Sequence, residues 1–170
     1  MNDQPSRRVL AALHDSAYRW ALTCCGFDED QAREVMQMVY VEVLSGRAVF
    51  GGRSSVKTWL FAVVRRTTLR LAARSRRPVP PAQVVEATDD DACANGVGRT
   101  ETRALVREAL TRLSPRQRQV VELVYYHELT LAEAAAVLGT RLGTARQHFH
   151  RAKRTLAQNL EPVREHLHGQ

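Results

Sequence analysis

Apolar residues recur along this chain at helical spacing, three and four apart, and nowhere in sustained two-residue alternation. The pattern predicts an all-α protein without a sheet. A first helix is expected over residues 7–25, with Leu10, Leu13, Ala17, Ala21 and Cys24 as its stripe and Gly26 as its stop. Asp28 can cap a second helix over residues 30–45, where Val35, Met36, Val39, Tyr40, Val43 and Leu44 form a wide apolar face. Residues 46–55, GRAVFGGRSS, hold three glycines and read as a loop. A third helix over residues 55–75 carries Val56, Leu60, Val63, Val64, Thr67 and Leu71 on one face. Phe61 and Leu69 fall off that face, which implies a helix covered on two sides.

Pro78, Pro80 and Pro81 stop this helix, and residues 78–100 show no period. The segment reads as a linker able to span about 75 to 80 Å when extended, so the parts it joins are expected to dock on a partner independently. Apolar positions at Ala104, Leu105, Ala109 and Leu110 mark a helix over residues 101–112. Ser114, Pro115 and Gln117 then spell an N-cap, a first-turn proline and a capping box for a helix running to about His127.

The most informative stretch runs from Thr130 to Gln158. Thr130 and Glu133 form a second capping box, Leu131, Ala134, Ala135 and Leu138 share a face, and Gly139 ends the helix. Thr140 is the expected cap of the helix that follows. There Ala145, Phe149, Ala152 and Leu156 occupy about one third of the circumference. Gln147, His150, Arg151 and Arg154 point away, with Arg146 and Lys153 on the flank. A short helix, a glycine turn and a long basic helix make the helix-turn-helix pattern, whose second helix enters the major groove. An ordinary helical hairpin with a solvated charged face fits the same spacing.

Charge changes the picture. The chain of 170 residues has a net charge of +7. Residues 1–78 carry 13 basic and 7 acidic groups, residues 79–100 carry 1 and 4, and residues 101–170 carry 11 and 7. Two basic blocks flank an acidic joint, which suits a polyanion touched by both ends. The third helix has no acid and ends in Arg65, Arg66, Arg70, Arg74, Arg76 and Arg77, a surface fit for tracking a phosphate backbone together with Lys57 and Trp59. Phe50, between Arg47 and Arg53, is either a stacking platform for an unpaired base or a plug for the core beneath its loop.

Other chemistry is thin. Cys24, Cys25 and Cys93 lack metal-ligand spacing and an even count, and the six histidines form no zinc pattern with them. Buried thiols, no metal and no cofactor are expected. No apolar run approaches the roughly 20 residues of a membrane span, and the start MNDQPSRR has no secretory character, so a cytoplasmic location without membrane insertion is expected.

Taken together, these motifs resemble the sigma-70 family of bacterial RNA polymerase sigma factors, in its two-domain extracytoplasmic-function group. The stretch ALTRLSPRQRQVVELVYYHELTLAEAAAVLGTRLGTARQHFHRAKRTL is similar to the family's region 4, through Leu113-Ser114, Arg118, Glu133-Ala134-Ala135, Leu138-Gly139, Gly143-Thr144-Ala145 and Arg151-Ala152-Lys153. EVMQMVYVEVL and Trp59-Leu60 resemble region 2 more loosely.

The resemblance implies three parts: residues 1–77 as a region 2-like domain, 78–100 as an acidic linker and 101–165 as a region 4-like helix-turn-helix domain. It implies a non-enzymatic subunit that binds core RNA polymerase at the β′ clamp and the β flap and directs initiation at promoter DNA. The minus-35 element would be met by Arg141, Thr144, Arg146, Gln147, His150, Arg151, Lys153 and Arg154. The minus-10 element would be opened by Phe50, Arg53, Lys57, Trp59, Arg65 and Arg66, and the clamp would face Arg33, Glu34, Gln37 and Met38.

Two departures stand out. The family's acidic motif is Gln31-Ala32-Arg33-Glu34 here, with Met38 at another acidic position, which implies weaker polymerase binding, or the need of a helper or an activating modification that restores negative charge, while an anti-sigma factor is a further partner the resemblance allows. Gln147-His148 replaces a frequent Ser-Arg pair, which implies a particular promoter sequence. Three other readings remain: a dimeric helix-turn-helix regulator acting without polymerase, a serine recombinase, and a polymerase-binding protein that no longer initiates.

Overall fold

The computed structural model describes residues 4–75 and 108–168, and every regular element among them is helical. The linker segment 78–100 and Arg76 and Arg77 lie outside the described residues, as does Cys93.

The first expected helix is two. α1 spans Arg7–Ala12, capped by the Ser6 hydroxyl, and α2 spans His14–Cys24. The chain breaks stride at Leu13, whose φ and ψ are −96° and 0°. Past α2, Gly26 and Phe27 both take positive φ (65° and 67°), and the Phe27 amide donates to the Leu22 carbonyl at 2.7 Å. That geometry closes the helix and reverses the chain into α3, Glu29–Leu44. Asp28 accepts from the Gln31 amide at 3.0 Å, and Glu29 and Asp30 sit in the first turn where the helix dipole favours carboxylates. α4 spans Val56–Ser75, with the Ser55 hydroxyl accepting from the Thr58 amide at 3.1 Å.

Val35, Met36, Val39 and Val43 of α3 pack with Leu60, Val63 and Val64 of α4 and with Ala17, Trp20 and Ala21 of α2. Leu44, expected on the buried face, is 58% exposed at the last residue of α3. Leu69 is likewise exposed. Phe61, off the main stripe, is fully buried.

Residues 108–111 are helical. α5 spans Pro115–Val121, with both halves of the Ser114/Gln117 capping box in place. Its continuation is not α-helical. Residues Glu122–Tyr126 form a π-turn, closed by the His127 amide on the Glu122 carbonyl at 3.0 Å. α6 spans Leu131–Leu138 behind the Thr130/Glu133 capping box. Gly139 takes φ 60°, and a Cβ there would meet nothing within 4 Å, so only the left-handed backbone favours glycine. α7 spans Leu142–His168. The Arg141 carbonyl accepts from the Ala145 amide, so Arg141 and not Thr140 occupies the cap position.

α7 crosses both α5 and α6, with Leu113, Val121 and Ala152 buried between Leu110, Phe149 and Leu156. The larger core does not stop at the first four helices. Val120, Leu123, Leu129, Ala134, Val137 and Leu138 join it from the second stretch. The two halves of the chain, expected to dock independently, are packed here on each other.

The capping box of α6 carries a pH signature. Hydrogen bonds from Thr130, then from Thr58, hold the Glu133 carboxyl below its ordinary pKa, against its desolvation. A depressed pKa contributes stability above the unfolded value, and that share is lost as pH falls through the folded value. Glu133→Gln should therefore flatten the loss of stability between about pH 6 and pH 3. Urea midpoints measured across that range check it.

Candidate nucleic-acid interface

The face of α7 that points away from α5 and α6 is open over residues 141–154. Ala145 and Ala152 are fully buried beneath it, while Phe149 and Leu156 are half-buried. Arg141, Thr144, Arg146, Gln147, His150, Arg151, Lys153 and Arg154 are all exposed. No acidic residue occurs between Leu142 and Leu160. None of these cations forms an ion pair with a described residue, and Lys153 only leans over the Phe149 ring at 5.8 Å. An uncompensated row of guanidiniums with Gln and His between them can hold phosphates and reach base edges from one helix.

The other expected nucleic-acid residues do not form one surface. Phe50 and Trp59 meet edge to face at 5.4 Å, and the Trp59 indole donates to the Val49 carbonyl at 3.1 Å. Phe50 is half-buried, so it props its own loop while keeping part of its ring in reach of solvent. Arg53 and Arg66 are exposed nearby in sequence. Lys57 and Arg65 are elsewhere. They fall with Thr58 and Phe61 on a second stripe of α4, spaced three and four residues apart, and that stripe is covered by the C-terminal half. The Lys57 ammonium donates to the His127 carbonyl at 2.6 Å, and Arg65 is 9% exposed.

The seam is lined by polar pairs that local sequence patterns do not announce. The Thr58 hydroxyl donates to Glu133 at 3.1 Å, and the Thr23 hydroxyl donates to Glu122 at 2.6 Å. The Arg19 guanidinium donates to the Tyr126 hydroxyl. At its centre His127, 2% exposed, stands perpendicular to the rings of Phe61 (4.7 Å), Tyr126 (5.0 Å) and Trp20 (6.2 Å). The one signal of this seam in the sequence is Phe61, an aromatic residue on the wrong face of its helix.

The clamp-facing candidates lie on the opposite side of α3. Arg33, Glu34 and Gln37 are exposed and Met38 is half-buried. Arg33 binds its own helix, reaching Glu29 at 2.6 Å and Asp30 at 2.9 Å. These exposed pairs add little stability, but they draw two carboxylates into an internal bridge. Val41, 55% exposed, extends this face with apolar surface.

Both described thiols, Cys24 and Cys25, are buried. Burial, then the charge of Glu122, pushes Cys24 far up, and burial pushes Cys25 to about 11.

A family model described as sigma-70, region 4, matches residues 103–156. The chain is 29% identical over 162 residues to the ECF RNA polymerase sigma factor SigL of Mycobacterium tuberculosis, covering 91% of this chain and 90% of that one. It is 27% identical over 140 residues to the RNA polymerase sigma factor YlaC of Bacillus subtilis, covering 80% and 81%. Among solved structures it is similar in fold to the sigma factor RpoE of Bartonella quintana, crystallised with the anti-sigma factor NepR. That match has a TM-score of 0.67 at 20% identity and covers 91% of this chain and 96% of that one.

The seam makes Cys24 a reporter of docking. Its charged neighbours Glu122 and Arg116 belong to the C-terminal half, whereas Cys25 is bound by Thr68 of α4. Removing two seam hydrogen bonds with Arg19→Ala and Thr58→Ala should speed thiol modification of Cys24 roughly 5- to 30-fold. Cys25 should accelerate less, as read by mass spectrometry of labelled peptides.

Proposed function

We propose that this chain, which belongs to the sigma-70 family and within it to the extracytoplasmic-function group, directs promoter-specific transcription initiation by bacterial RNA polymerase. The observation that carries this reading is the open cationic face over residues 141–154, in a stretch with no acid up to Leu160, borne on a glycine-turned helix pair. In this reading the helix over residues 141–154 reads the minus-35 element. Arg146, Gln147, His150 and Arg151 supply base contacts, while Arg141, Thr144, Lys153 and Arg154 supply backbone contacts.

Residues 1–77 form the unit that opens the minus-10 element, residues 101–165 form the duplex-reading unit, and residues 78–100 tether them. Phe50, Trp59, Arg53 and Arg66 offer stacking and phosphate contacts from the outer side of the first unit. Lys57 and Arg65 join them only once the seam parts, because the C-terminal half covers both. The protein catalyses no reaction of its own in this reading. Strand opening follows from binding unpaired bases, at about 1–3 kcal/mol per stacked base. The site of action is wherever the polymerase works, the cytoplasm, and a helper or a modification that restores negative charge answers the depleted acidic motif.

Two experiments test this. Arg146→Ala and Gln147→Ala should each cost about 1–3 kcal/mol of binding to the preferred upstream element and flatten its sequence preference. Core-polymerase binding should be unchanged, and equal loss of both in binding and in vitro transcription assays would refute the assignment. On the clamp side, Arg33→Glu frees Glu29 and Asp30 and adds an acid. It should raise core-polymerase affinity roughly two- to fivefold at low salt, and a titration showing no gain would remove Arg33 from that interface.

A further inference from the structure

Two adjacent tyrosines leave the π-turn in different directions. The Tyr126 hydroxyl accepts from Arg19, whose guanidinium carbon stands 5.6 Å from the ring centroid, so that side chain belongs to the seam. Tyr125 turns onto α7 instead. Its ring stacks on Phe149, with centroids 5.7 Å apart and 29° between the planes. It is still 61% exposed, and its hydroxyl bonds to no described residue. A tyrosine so placed rests its apolar body on the protein and leaves its polar tip to water or to a partner.

The helix beneath it sets where that tip stands. At about 100° per residue, Arg146 and Lys153 lie within about 20° of each other and two turns apart, on one edge of the cationic arc. Phe149 comes next around the helix, between them in height. The Lys153 ammonium lies 5.8 Å from the centroid of that ring. Tyr125 and Lys153 thus meet the same phenyl group, and the phenol stands at that edge of α7. No spacing within α7 announces it, because it arrives from the π-turn. An α-helix with its side chains is about 10–12 Å across, and the major groove is about 12 Å wide. A reading helix therefore fills the groove, and its edges meet the phosphate strands on either side.

We propose that Tyr125 is a further DNA-contacting residue, whose hydroxyl donates to a phosphate of the strand beside Lys153. This rests on the reading of the minus-35 element by residues 141–154. Phe149 is the positioning residue: the stack holds the phenol in place before the DNA arrives, so little freedom is lost on binding. The contact fixes the register of α7 in the groove and carries no sequence information. It differs in kind from a lysine contact. The phenol is neutral and releases no counterion, so it adds affinity without adding to the salt dependence.

The test uses the full chain bound to core RNA polymerase, with polymerase alone as the background. The probes are a short duplex chosen by that complex from a random-sequence library and a panel of its single-base variants. Tyr125→Phe keeps the stack and removes only the hydroxyl. It should lower affinity about fivefold for every duplex alike, with the thermal midpoint of the chain and the slope of affinity against salt both unchanged. Lys153→Ala should by contrast reduce that slope by about one. A Tyr125→Phe complex that binds as tightly as the parent overturns the proposal and leaves the promoter reading standing. So does a loss confined to particular bases, which would be a base contact, or a loss matched by a lower thermal midpoint, which would be a folding defect. A parent complex that binds no better than polymerase alone sinks the promoter reading and this proposal with it.

Discussion

Helix α4 has two apolar faces, and the structure depends on covering both. One face, through Leu60, Val63 and Val64, is met by α2 and α3. The other is headed by Phe61, stacked on Trp20 at 6.0 Å and capped by the edge of the His127 ring. Trp20 of α2 covers only part of that face. Burying a large side chain is worth about 1.5–3 kcal/mol, so an uncovered Phe61 stripe would draw in whatever apolar surface was tethered nearby. The π-turn and α6 supply it, with Leu123, Leu129, Ala134 and Val137. Both halves belong to one chain, so this is an encounter within one molecule, at high effective concentration.

The extra residue of the π-turn explains how His127 comes to fill this role. In a continuous α-helix from Pro115 the side chains beyond Glu122 would advance by about 100° each. The wider turn shifts that register. It leaves Tyr125 stacked on Phe149, Tyr126 against Arg19, and His127 turned into the aromatic pair. A local departure from regular geometry thus sets the meeting of two distant parts of the chain.

Most of the helices were legible because their signals are local. Both capping boxes, Asp28, Gly139 and the alanine stripe of α7 act within four residues, and each is found where the spacing puts it. The break at Leu13 and the π-turn carry no comparable mark, since neither needs a glycine or a proline. The seam was illegible for another reason. Its hydrogen bonds join residues 70 to 107 positions apart, and a Thr, a Lys or an Arg on a helix surface looks the same whether it meets water or a partner. For that reason Lys57 and Arg65 read as part of an open basic stripe, and only Phe61 betrayed the cover. The α7 face was legible throughout because exposure is what its composition already implied.

That difference between the two basic surfaces follows from what each helix buries. α7 carries one apolar stripe, satisfied by α5 and α6, and its cations stay in water at no cost. α4 carries two, and its second stripe alternates Phe61 with Thr58, Lys57 and Arg65. A cover over such a stripe is held partly by hydrogen bonds, each worth only about 0.5–1.5 kcal/mol net because water replaces it on opening. Apolar contact alone would have made the docking as permanent as the rest of the core. The polar admixture lets the halves separate without leaving a wholly hydrophobic wound, since Lys57, Thr58, Glu122 and Glu133 are solvated again when they part. Arg65, 9% exposed while the halves are packed together, returns to water with them.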